Sequence, residues 1–416
     1  MLDLKLIKEE TEKVRAALLK RMSPENLDLE SIIQLDDSRR TVLQSMEEKK
    51  SERNRSSKEK PSPETIARMK ALGEEIKIEE EKLNKIEEEL KEKISALPNL
   101  PADDVVAGGK ENNKVVYTFG EKPKFNFQPK DHVELATELG LIDYSRAAKM
   151  SGSGFWIYKG AGAQLEWAIL NYFADHHNKR NYTFILPPYL LNEASAYASG
   201  HLPKFREDLF WTEDKLCLNA TSEMMLSNYH RDEILIAEEL PLKYYAYSAC
   251  FRREAGSYRK EERGMIRGHQ FNKMEMFQFT KPENSWSAFD ELLASARDLL
   301  EGLGLHFQIS KLAAGDCSAA MAKTVDLEVW IPSMEIYKEV SSVSNALDYQ
   351  ARRSNIRFKN ASGKNEFVHT LNGSGLATSR LFPAILEQFQ TAEGTVIIPE
   401  ALHKYLPKEL WELKKK

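Results

Sequence analysis

The first hundred residues carry a helical pattern of apolar and polar positions. In the later part, apolar residues recur every seven positions, at Met69, Ile76, Leu83, Leu90 and Leu97. A heptad repeat sustained over about four repeats is typical of a coiled coil. An earlier stretch, 29–56, carries a narrower apolar seam, and a Pro-containing break separates the two stretches. The pattern therefore predicts a short helix over 6–22 followed by a long antiparallel helical hairpin.

Beyond residue 100 the pattern changes to short alternating stretches between amphipathic segments. Two alternating stretches, 246–251 and 270–279, predict an antiparallel hairpin with an oversized, charged tip. Further strands are predicted over 323–331 and 336–343, and a Gly- and Asn-rich linker over 103–114. The regular strand–helix alternation of a doubly wound sheet is missing, as are the GxGxxG and GxxxxGK[ST] motifs. A nucleotide bound here would need another kind of site.

Composition and charge narrow the class of protein. The chain has 416 residues, 42% of them hydrophobic, and a formal net charge of −5. A polyanion would therefore have to bind local basic patches. The three cysteines are far apart, which is typical of free thiols in a reducing compartment and excludes a CxxC zinc site. Without an apolar run of about 18 residues, the sequence predicts a soluble, cytoplasmic protein that does not bind membranes.

The predicted hairpin over 250–279 has unusual faces. Arg252 and Glu254 share one face of the first strand, and Phe271, Lys273 and Glu275 share one face of the second. One interpretation is a solvated hairpin covered by salt bridges. The other is a nucleotide platform, in which Arg binds phosphate, Phe stacks on a base and Glu accepts from an amino group. These residues alone favour neither.

The predicted turn of the helical hairpin is basic. Residues 49–60, KKSERNRSSKEK, include six basic and two acidic residues and have no apolar seam. A charge run is usually a solvated helix end. On an otherwise acidic chain, however, a basic tip at the end of a long arm favours contact with nucleic-acid phosphates.

Several motifs, taken together and in this order, resemble those of class II aminoacyl-tRNA synthetases, and among these the seryl-tRNA synthetase family. The resemblance covers essentially the whole chain. It is carried by LPKFREDLF at 202–210, NATSE at 219–223, FRREAGSY at 251–258, RGMIRGHQFNKMEM at 263–276, DLEVWIP at 326–332, EVSSVSNALDYQARR at 339–353 and NGSGLATSR at 372–380.

The resemblance implies an α+β fold in two domains. Residues 1–100 would form an N-terminal helical domain with a long coiled-coil arm, which grips the variable arm of tRNA(Ser) in family members. Residues 101–416 would form the class II catalytic domain, a mainly antiparallel sheet flanked by helices. It also implies a homodimer built around the helix–strand unit 163–188. Selenocysteine tRNA stays open as a further substrate.

The resemblance further implies the roles of individual residues in the ligation of serine to tRNA. Arg252 would bind the α-phosphate of ATP and Arg380 the γ-phosphate, and these two with Glu339 form the implied catalytic set. The implied ATP site comprises Arg252, Arg253, Glu254, Phe271, Glu339, Val340, Ser341, Ser342 and Arg380. The implied serine site comprises Thr221, Ser222, Glu223, Arg252, Glu275 and Ser374. Mg²⁺ would be held by Glu339 and Ser342, and no zinc is expected.

The chain departs from the family pattern at a few positions. Ala198-Ser199-Gly200-His201 stands where Gly-Thr-Gly-Gln is common, and Ala220, Ser318 and Val343 replace a frequent Pro, Gly and Cys. None of these removes a residue with an implied role. Two alternatives remain at this point, a catalytically inactive tRNA-binding protein and a paralog that loads a small amino acid onto a carrier protein.

Overall fold

The computed structural model describes residues 1–58, 62–255 and 264–415. Within it, Met1–Leu100 and Pro101–Lys416 are two compact units. The basic residues Lys60, Arg259, Lys260 and Arg263, and the acidic residues Glu59, Glu261 and Glu262, which belong to the two predicted charged tips, lie outside the described residues. Among the residues described, no helix is both long enough and apolar enough to cross a bilayer.

The first unit is helical. Its helices are α1 (Leu4–Glu9), α2 (Thr11–Leu18), α3 (Leu29–Ser56) and α4 (Pro63–Ala96). The predicted single helix over 6–22 is wrong, because the backbone leaves helical dihedrals at Glu10 (φ −126°, ψ 39°) and the chain restarts at Thr11. The hydroxyl of Thr11 bonds to the carbonyl of Ile7 at 2.8 Å, which gives that acceptor a partner across the break.

The long helices α3 and α4 form the predicted pair. Asp28 caps α3 by accepting from the amide of Ser31, and Ser62 caps α4 by accepting from Thr65, with Pro63 at the first helical position. A small apolar core of Val42, Met46, Ile76 and Leu83 joins the two helices. Farther along, Lys49 lies 2.8 Å from Glu79 and Lys50 2.9 Å from Glu80. Part of the basic charge predicted for the tip is thus neutralised by α4.

The second unit is built on a sheet that has eight strands within the described residues. In chain order its regular elements are β1 (Lys114–Phe119), α5 (His132–Glu138), β2 (Ile142–Asp143), α6 (Tyr144–Ser151), β3 (Ile157–Tyr158), α7 (Ala161–Lys179), β4 (Thr183–Ile185), β5 (Leu190–Asn192), α8 (Glu193–Ala198), β6 (Leu216–Leu218), α9 (Glu223–Leu226), β7 (Ile234–Leu235), β8 (Leu242–Phe251), β9 (Gln270–Thr280), α10 (Ser285–Gly302), β10 (Phe307–Lys311), β11 (Lys323–Ile331), β12 (Ile336–Leu347), α11 (Tyr349–Ser354), β13 (Arg357–Lys359), β14 (Asn365–Phe367), β15 (His369–Ala377), α12 (Thr378–Gln388), β16 (Val396–Ile397) and β17 (Glu412–Leu413).

The large sheet is antiparallel except at one edge. Its strand order is β1-β10-β11-β12-β15-β9-β8-β4, and only the β4–β8 pair runs parallel among these strands. The predicted hairpin is the β8–β9 pair, in register from Leu242 opposite Phe279 to Phe251 opposite Gln270. Helices α7, α10 and α12 pack on the sheet and share its main apolar core. The α+β prediction, with a mainly antiparallel sheet and flanking helices, is confirmed.

The predicted linker is packed onto the second unit. The amides of Ala314 and Gly315 bond to the carbonyls of Val106 and Gly108, at 2.9 and 2.8 Å. Asp104 accepts from Lys311 and Lys323 at 2.6 and 2.8 Å. Burial acts to raise the pKa of Asp104, but the bonds from the two lysines outweigh it and lower that pKa to about 2. The Gly-rich composition thus serves close packing here.

Asp36 is a buried carboxylate of the first unit. Asp36 on α3 has a fully buried side chain and pairs with Lys8, Arg39 and Arg40 at 2.7, 2.8 and 2.9 Å. Burial acts to raise the pKa of Asp36, but the bonds from Lys8 and Arg39 prevail, and that pKa is lowered. A carboxylate with a lowered pKa stabilises the fold above its unfolded pKa, and this contribution disappears as the pH falls through the folded pKa.

Asp36→Ala is expected to destabilise the contact between α1 and α3 by about 2 kcal/mol at pH 7, because three cations lose a buried partner but can still reach water. Hydrogen exchange of the α1 and α3 amides in the full chain measures the loss. Asp37→Ala is the control, since Asp37 also bonds to Lys8 at 2.7 Å but is 64% exposed. Equal effects of the two substitutions would contradict the role of burial.

Candidate functional site

A cluster of buried polar side chains lies where β9 and β15 pair. Glu275 on β9 is fully buried and faces Ser374 on β15 in the register of the two strands. Its Oε1 accepts from the Asn372 amide at 3.0 Å, and its Oε2 accepts from the Ser374 hydroxyl at 3.4 Å. The ammonium of Lys273 makes a short ion pair with Glu275 Oε2. A buried carboxylate needs such partners, because an isolated one would be strongly disfavoured.

Lys273 joins this cluster to the loop before α9. Its Nζ donates to the hydroxyl of Thr221 at 2.6 Å, inside the protein. The same Thr221 oxygen accepts from the amide of Glu223 at 3.2 Å, so Thr221 also helps to begin α9. Lys273, which the alternation of β9 put on the same face as Glu275, therefore connects two residues of the predicted serine site.

Glu223 is the second buried carboxyl of the cluster. Its Oε1 accepts from the amide of Gln350 at 2.7 Å, and Gln350 in turn accepts from Thr370 at 2.7 Å. Burial, reinforced by the nearby charge of Glu275, raises the pKa of Glu223 to about 7. Two buried carboxyls, Glu223 and Glu275, and the hydroxyls of Thr221 and Ser374 thus form one buried polar cluster.

The residues predicted to bind ATP lie next to this cluster. The guanidinium of Arg252 lies 5.2 Å from the centre of the Phe271 ring, and its Nε donates to the carbonyl of Ala220 at 3.2 Å. Arg253 is exposed, and its amide bonds to the carbonyl of Asp208. Glu254 has a positive φ of 52° and pairs with Arg267, whose Nε and Nη2 lie 2.7 and 2.6 Å from Glu254 Oε2. The structure thus brings an Arg, an aromatic face and a carboxylate to one end of β8 and β9.

Arg380 connects the segment just before β9, which contains Ile266, to β12. Its Nε donates to the carbonyl of Ile266 at 3.2 Å, and its Nη1 donates to the carbonyl of Glu339 at 2.8 Å. The same Nη1 lies 3.5 Å from the carboxylate of Glu339. Two backbone carbonyls therefore orient the guanidinium of Arg380 towards the segment that carries Glu339.

A bulge in β12 settles which residues share a face with Glu339. Strict alternation would put Ser342 on the opposite face. In the β11–β12 pair, however, Ser342 lies opposite Asp326 and Glu339 lies opposite Glu328, with the register shifting between Leu327 and Glu328. Asp326 and Glu328 are two residues apart and share a face. Glu339 and Ser342 therefore share that face too, because Val340 is the extra residue of the bulge.

Oxygen ligands gather on this face. Ser342 donates to Asp326, and Asp326 is buried. Burial, together with the charge of Glu339, raises the pKa of Asp326 well above its usual value. Two crowded carboxyls and a hydroxyl are hard oxygen donors that fit Mg²⁺, whose charge would relieve their repulsion. The described residues contain no group of three or more His, Cys, Asp or Glu side chains placed to hold a metal.

Three of the predicted site residues direct their side chains elsewhere. The Ser222 hydroxyl bonds to Ser248 on β8 at 2.7 Å, and the Ser341 hydroxyl donates to the carbonyl of Ser374 at 2.6 Å. Val340 is buried in the bulge. These side chains stabilise the strands around the site, so any contact of these residues with a ligand is left to their backbone.

Sequence reasoning assigned no role to four residues of this region. Lys273 and Gln350 orient the two buried carboxyls, Asn372 donates to Glu275, and Asp326 faces Ser342. The signal for Asp326 was in the alternation of 323–331, which puts it on one face with Glu328. Gln350 had no such signal, because its partners Glu223 and Thr370 are distant along the chain.

The comparisons with known proteins agree with this architecture. Residues 207–389 match the family model "tRNA synthetase class II core domain (G, H, P, S and T)", and residues 1–101 match "Seryl-tRNA synthetase N-terminal domain". The antiparallel sheet and the core-domain match define a class II aminoacyl-tRNA synthetase.

Full-length relatives narrow the class. The chain is 52% identical to serine–tRNA ligase 2 of Clostridium acetobutylicum, covering 98% of this chain and 100% of that protein. It is 44% identical to the serine–tRNA ligase of Thermodesulfovibrio yellowstonii, covering 98% and 99% of the two chains. The chain belongs to the serine–tRNA ligase family, also called seryl-tRNA synthetases.

Two solved structures of this family are similar to the chain over almost their whole length. The crystal structure of seryl-tRNA synthetase from Pyrococcus horikoshii complexed with ATP is 32% identical, with a TM-score of 0.93 and full coverage of both chains. That of the cytoplasmic serine–tRNA ligase from Naegleria fowleri in complex with AMP is 30% identical, with a TM-score of 0.86 and 97% coverage of both chains.

Glu223→Gln is expected to stabilise the protein at pH 8 by about 3 kcal/mol. A carboxyl whose folded pKa is raised contributes stability below its unfolded pKa, and this is lost as the pH rises through the folded pKa, from about 4.5 to about 7. The gain should fall below about 1 kcal/mol at pH 5. Thermal unfolding at both pH values measures it, with the exposed Glu207→Gln as control. A gain independent of pH would contradict the raised pKa.

Proposed function

We propose that this chain is an active serine–tRNA ligase that joins L-serine to ATP as seryl-adenylate and then transfers serine to tRNA(Ser). The family membership supports the activity. The observation that supports the substrate most directly is the cluster of Thr221, Glu223, Glu275 and Ser374, which combines buried carboxyls with small hydroxyls. The carboxyls suit the ammonium of serine, and the hydroxyls suit its side chain.

The first reaction step needs positioning more than it needs a protein nucleophile. The serine carboxylate attacks the α-phosphorus of ATP, and pyrophosphate leaves. Negative charge grows on the α-phosphate, where Arg252 supplies a fixed positive charge at the edge of the serine pocket. Phe271 lies beneath that guanidinium and offers its ring to the adenine. Arg380, oriented by two backbone carbonyls, would bind the γ-phosphate.

Glu254 would accept a hydrogen bond from the adenine amino group. Arg267 contacts Oε2 of Glu254 through both Nε and Nη2, which helps to orient the Glu254 carboxylate at this end of the site. The backbone at 253 and 340–341 would complete the walls of the ATP site. In the second step the serine acyl group moves from AMP to a ribose hydroxyl at the end of the tRNA.

Mg²⁺ would be held by Glu339 and Ser342, with Asp326 bonded to Ser342 beside them. When bound, it would neutralise phosphate charge and polarise phosphoryl oxygens. The side chain of Glu339 is 44% exposed. A metal ion that arrives with its nucleotide needs a ligand that is accessible in this way. The residues of this face thus fit the metal that the family implies.

The paired helices α3 and α4 would form the arm that binds the variable arm of tRNA(Ser), and selenocysteine tRNA remains a further candidate. The support is the charge at its end, where Arg53, Arg55 and Lys58 follow the paired Lys49 and Lys50. Nucleic-acid phosphates favour such a local patch even on a chain of net charge −5. We assign the domains as 1–100 for tRNA binding and 101–416 for catalysis, in a cytoplasmic enzyme.

A homodimer is proposed from exposed apolar side chains between α7 and β5. Trp167, Phe184, Leu186 and Leu190 are 56%, 44%, 69% and 46% exposed. Large apolar side chains gathered in one short segment favour burial against another chain. A second copy is the partner chosen, because the family resemblance places its dimer contact in the segment 163–188, which contains Trp167, Phe184 and Leu186.

Arg252→Ala is expected to lower the rate of serine-dependent ATP–pyrophosphate exchange by roughly a hundred- to a thousandfold, because the α-phosphate loses its cation. Arg206→Ala, which removes an exposed partner of Glu193, is the control. An Arg252→Ala rate within a few-fold of wild type would contradict the phosphate role. Exchange that does not depend on serine in the folded, Mg²⁺-supplied wild type would overturn the proposed function.

Shortening the arm is expected to separate the two steps. Residues 51–74 are replaced by a Gly–Ser turn of about four residues, which retains the contacts of Lys49 with Glu75 and Glu79 at the new end. Serine-dependent exchange should stay at the wild-type rate, while the charging of tRNA should fall about a hundredfold as phosphate contacts are lost. Equal loss of both activities would mean that the arm serves the fold alone.

A further inference from the structure

A buried carboxyl on α7 bonds to two elements of the proposed site. Glu166 is 3% exposed, and none of the ligand-binding roles above includes it. Its Oε1 accepts from the hydroxyl of Thr378 at 2.6 Å and from the amide of Asn272 at 2.7 Å. One oxygen atom thus joins α7 to the first residue of α12 and to β9, in addition to the direct bond from the Thr378 hydroxyl to the Asn272 carbonyl at 3.2 Å.

Both donors are close in sequence to proposed ATP ligands. Thr378 begins α12 two residues before Arg380, and Asn272 directly follows Phe271 in β9. The Asn272 amide cannot easily turn away, because its Oδ1 accepts from the hydroxyl of Tyr247 at 3.1 Å. A shift of Glu166 would therefore be passed to the two segments that carry the phosphate-side and adenine-side residues.

Besides its donors Thr378 and Asn272, Glu166 has two tyrosines near it. Tyr158 and Tyr247 are the titratable side chains that act on it or on its partners in the described chain. Glu166 Oε2 and the Tyr158 hydroxyl are both buried, and the two groups act on each other. Burial raises the pKa of Glu166 to about 7 and that of Tyr158 well above its usual value. Burying a carboxyl here costs free energy that its hydrogen bonds must offset.

The same helix meets the same region a second time. His177 follows Glu166 by eleven residues, which is about three helical turns and puts both side chains on one face of α7. Its Nε2 lies 2.8 Å from the carbonyl of Gly375 on β15, and a Cβ at Gly375 would meet this ring at 2.4 Å. Helix α7 is therefore fixed to the strand and helix that carry Ser374 and Arg380.

We propose that Glu166 is a positioning residue for adenylate formation: its Oε1 sets the spacing of β9 and α12, and so holds Phe271 and Arg380 at the separation that ATP requires. The proposal rests on the proposed function. The binding of serine should be affected less than the binding of ATP. The residues Lys273, Asn372 and Gln350 orient the serine site through bonds that do not involve Glu166.

KM for ATP and KM for serine are measured in ATP–pyrophosphate exchange with the Glu166→Ala and Glu166→Gln variants. The alanine variant should raise KM for ATP about tenfold or more and change KM for serine less than about threefold, since only the ATP ligands lose their spacing. Glutamine keeps an acceptor oxygen for Thr378 and Asn272, and should recover most of that loss. A purely structural residue would change both constants alike or lower only the melting temperature.

A second pair of variants covers failure of Glu166→Ala to fold. Thr378→Val removes the hydroxyl at constant shape, whereas Thr378→Ser keeps it. Thr378→Val should raise KM for ATP. Thr378→Ser should keep KM for ATP close to the wild-type value. Unchanged KM for ATP in the alanine and valine variants, or a glutamine variant as impaired as the alanine variant, would overturn the proposal. Serine-dependent exchange by the wild type tests the proposed function separately.

Discussion

The compensation of charge inside the β9–β15 pair is the constraint on which the catalytic unit depends. Glu275 is fully buried in the middle of the sheet and would be strongly disfavoured alone. Lys273, Asn372 and Ser374 satisfy it, and Lys273 reaches onward to Thr221 at the start of α9. The path of the loop before α9, the register of β15 and the polarity of the pocket are thereby tied to one ion pair.

The same principle explains why the site is built from several distant segments. A buried carboxyl such as Glu223 cannot be satisfied by its own four-residue helix, so it recruits Gln350 from α11. Arg380 uses carbonyls from two other segments. Each functional group is held by partners from elsewhere in the chain, which leaves the groups little freedom to reorganise when a ligand arrives.

Periodicity predicted the elements whose faces are uniform. The heptads of α4 were sufficient, because burial on one side repeats with the period of the helix. Strand β9 is buried on both faces from Lys273 to Thr280, and its β-prone residues indicated the strand. The short helices were less predictable. The break at Glu10 is a local choice of dihedral angles that leaves no trace in the apolar pattern.

The site was predictable only as far as its residues lie close in sequence. Phe271 and Glu275 could be placed on a common face of β9 from spacing alone. The prediction of a shared strand face for Arg252 and Glu254 is wrong, because β8 ends at Phe251 and Glu254 has a positive φ of 52°. Their meeting with Arg380 and Glu339 came from the family resemblance, because the pairing of distant strands is not written in local spacing. The spacing of β9 predicted the face on which Lys273 lies but not its partner Thr221. For Gln350, the sequence predicted neither the position nor the partners.

The bulge at Val340 shows that strand length itself encodes chemistry. The hydroxyl of Ser342 and the carboxylate of Glu339 face the same way only because one residue of β12 has no counterpart on β11. Two chains with identical residues at these positions, but differing by one residue between them, would present different ligands to the same cavity. For this family, sequence comparison across β12 must therefore preserve the residue count as strictly as the residue identities.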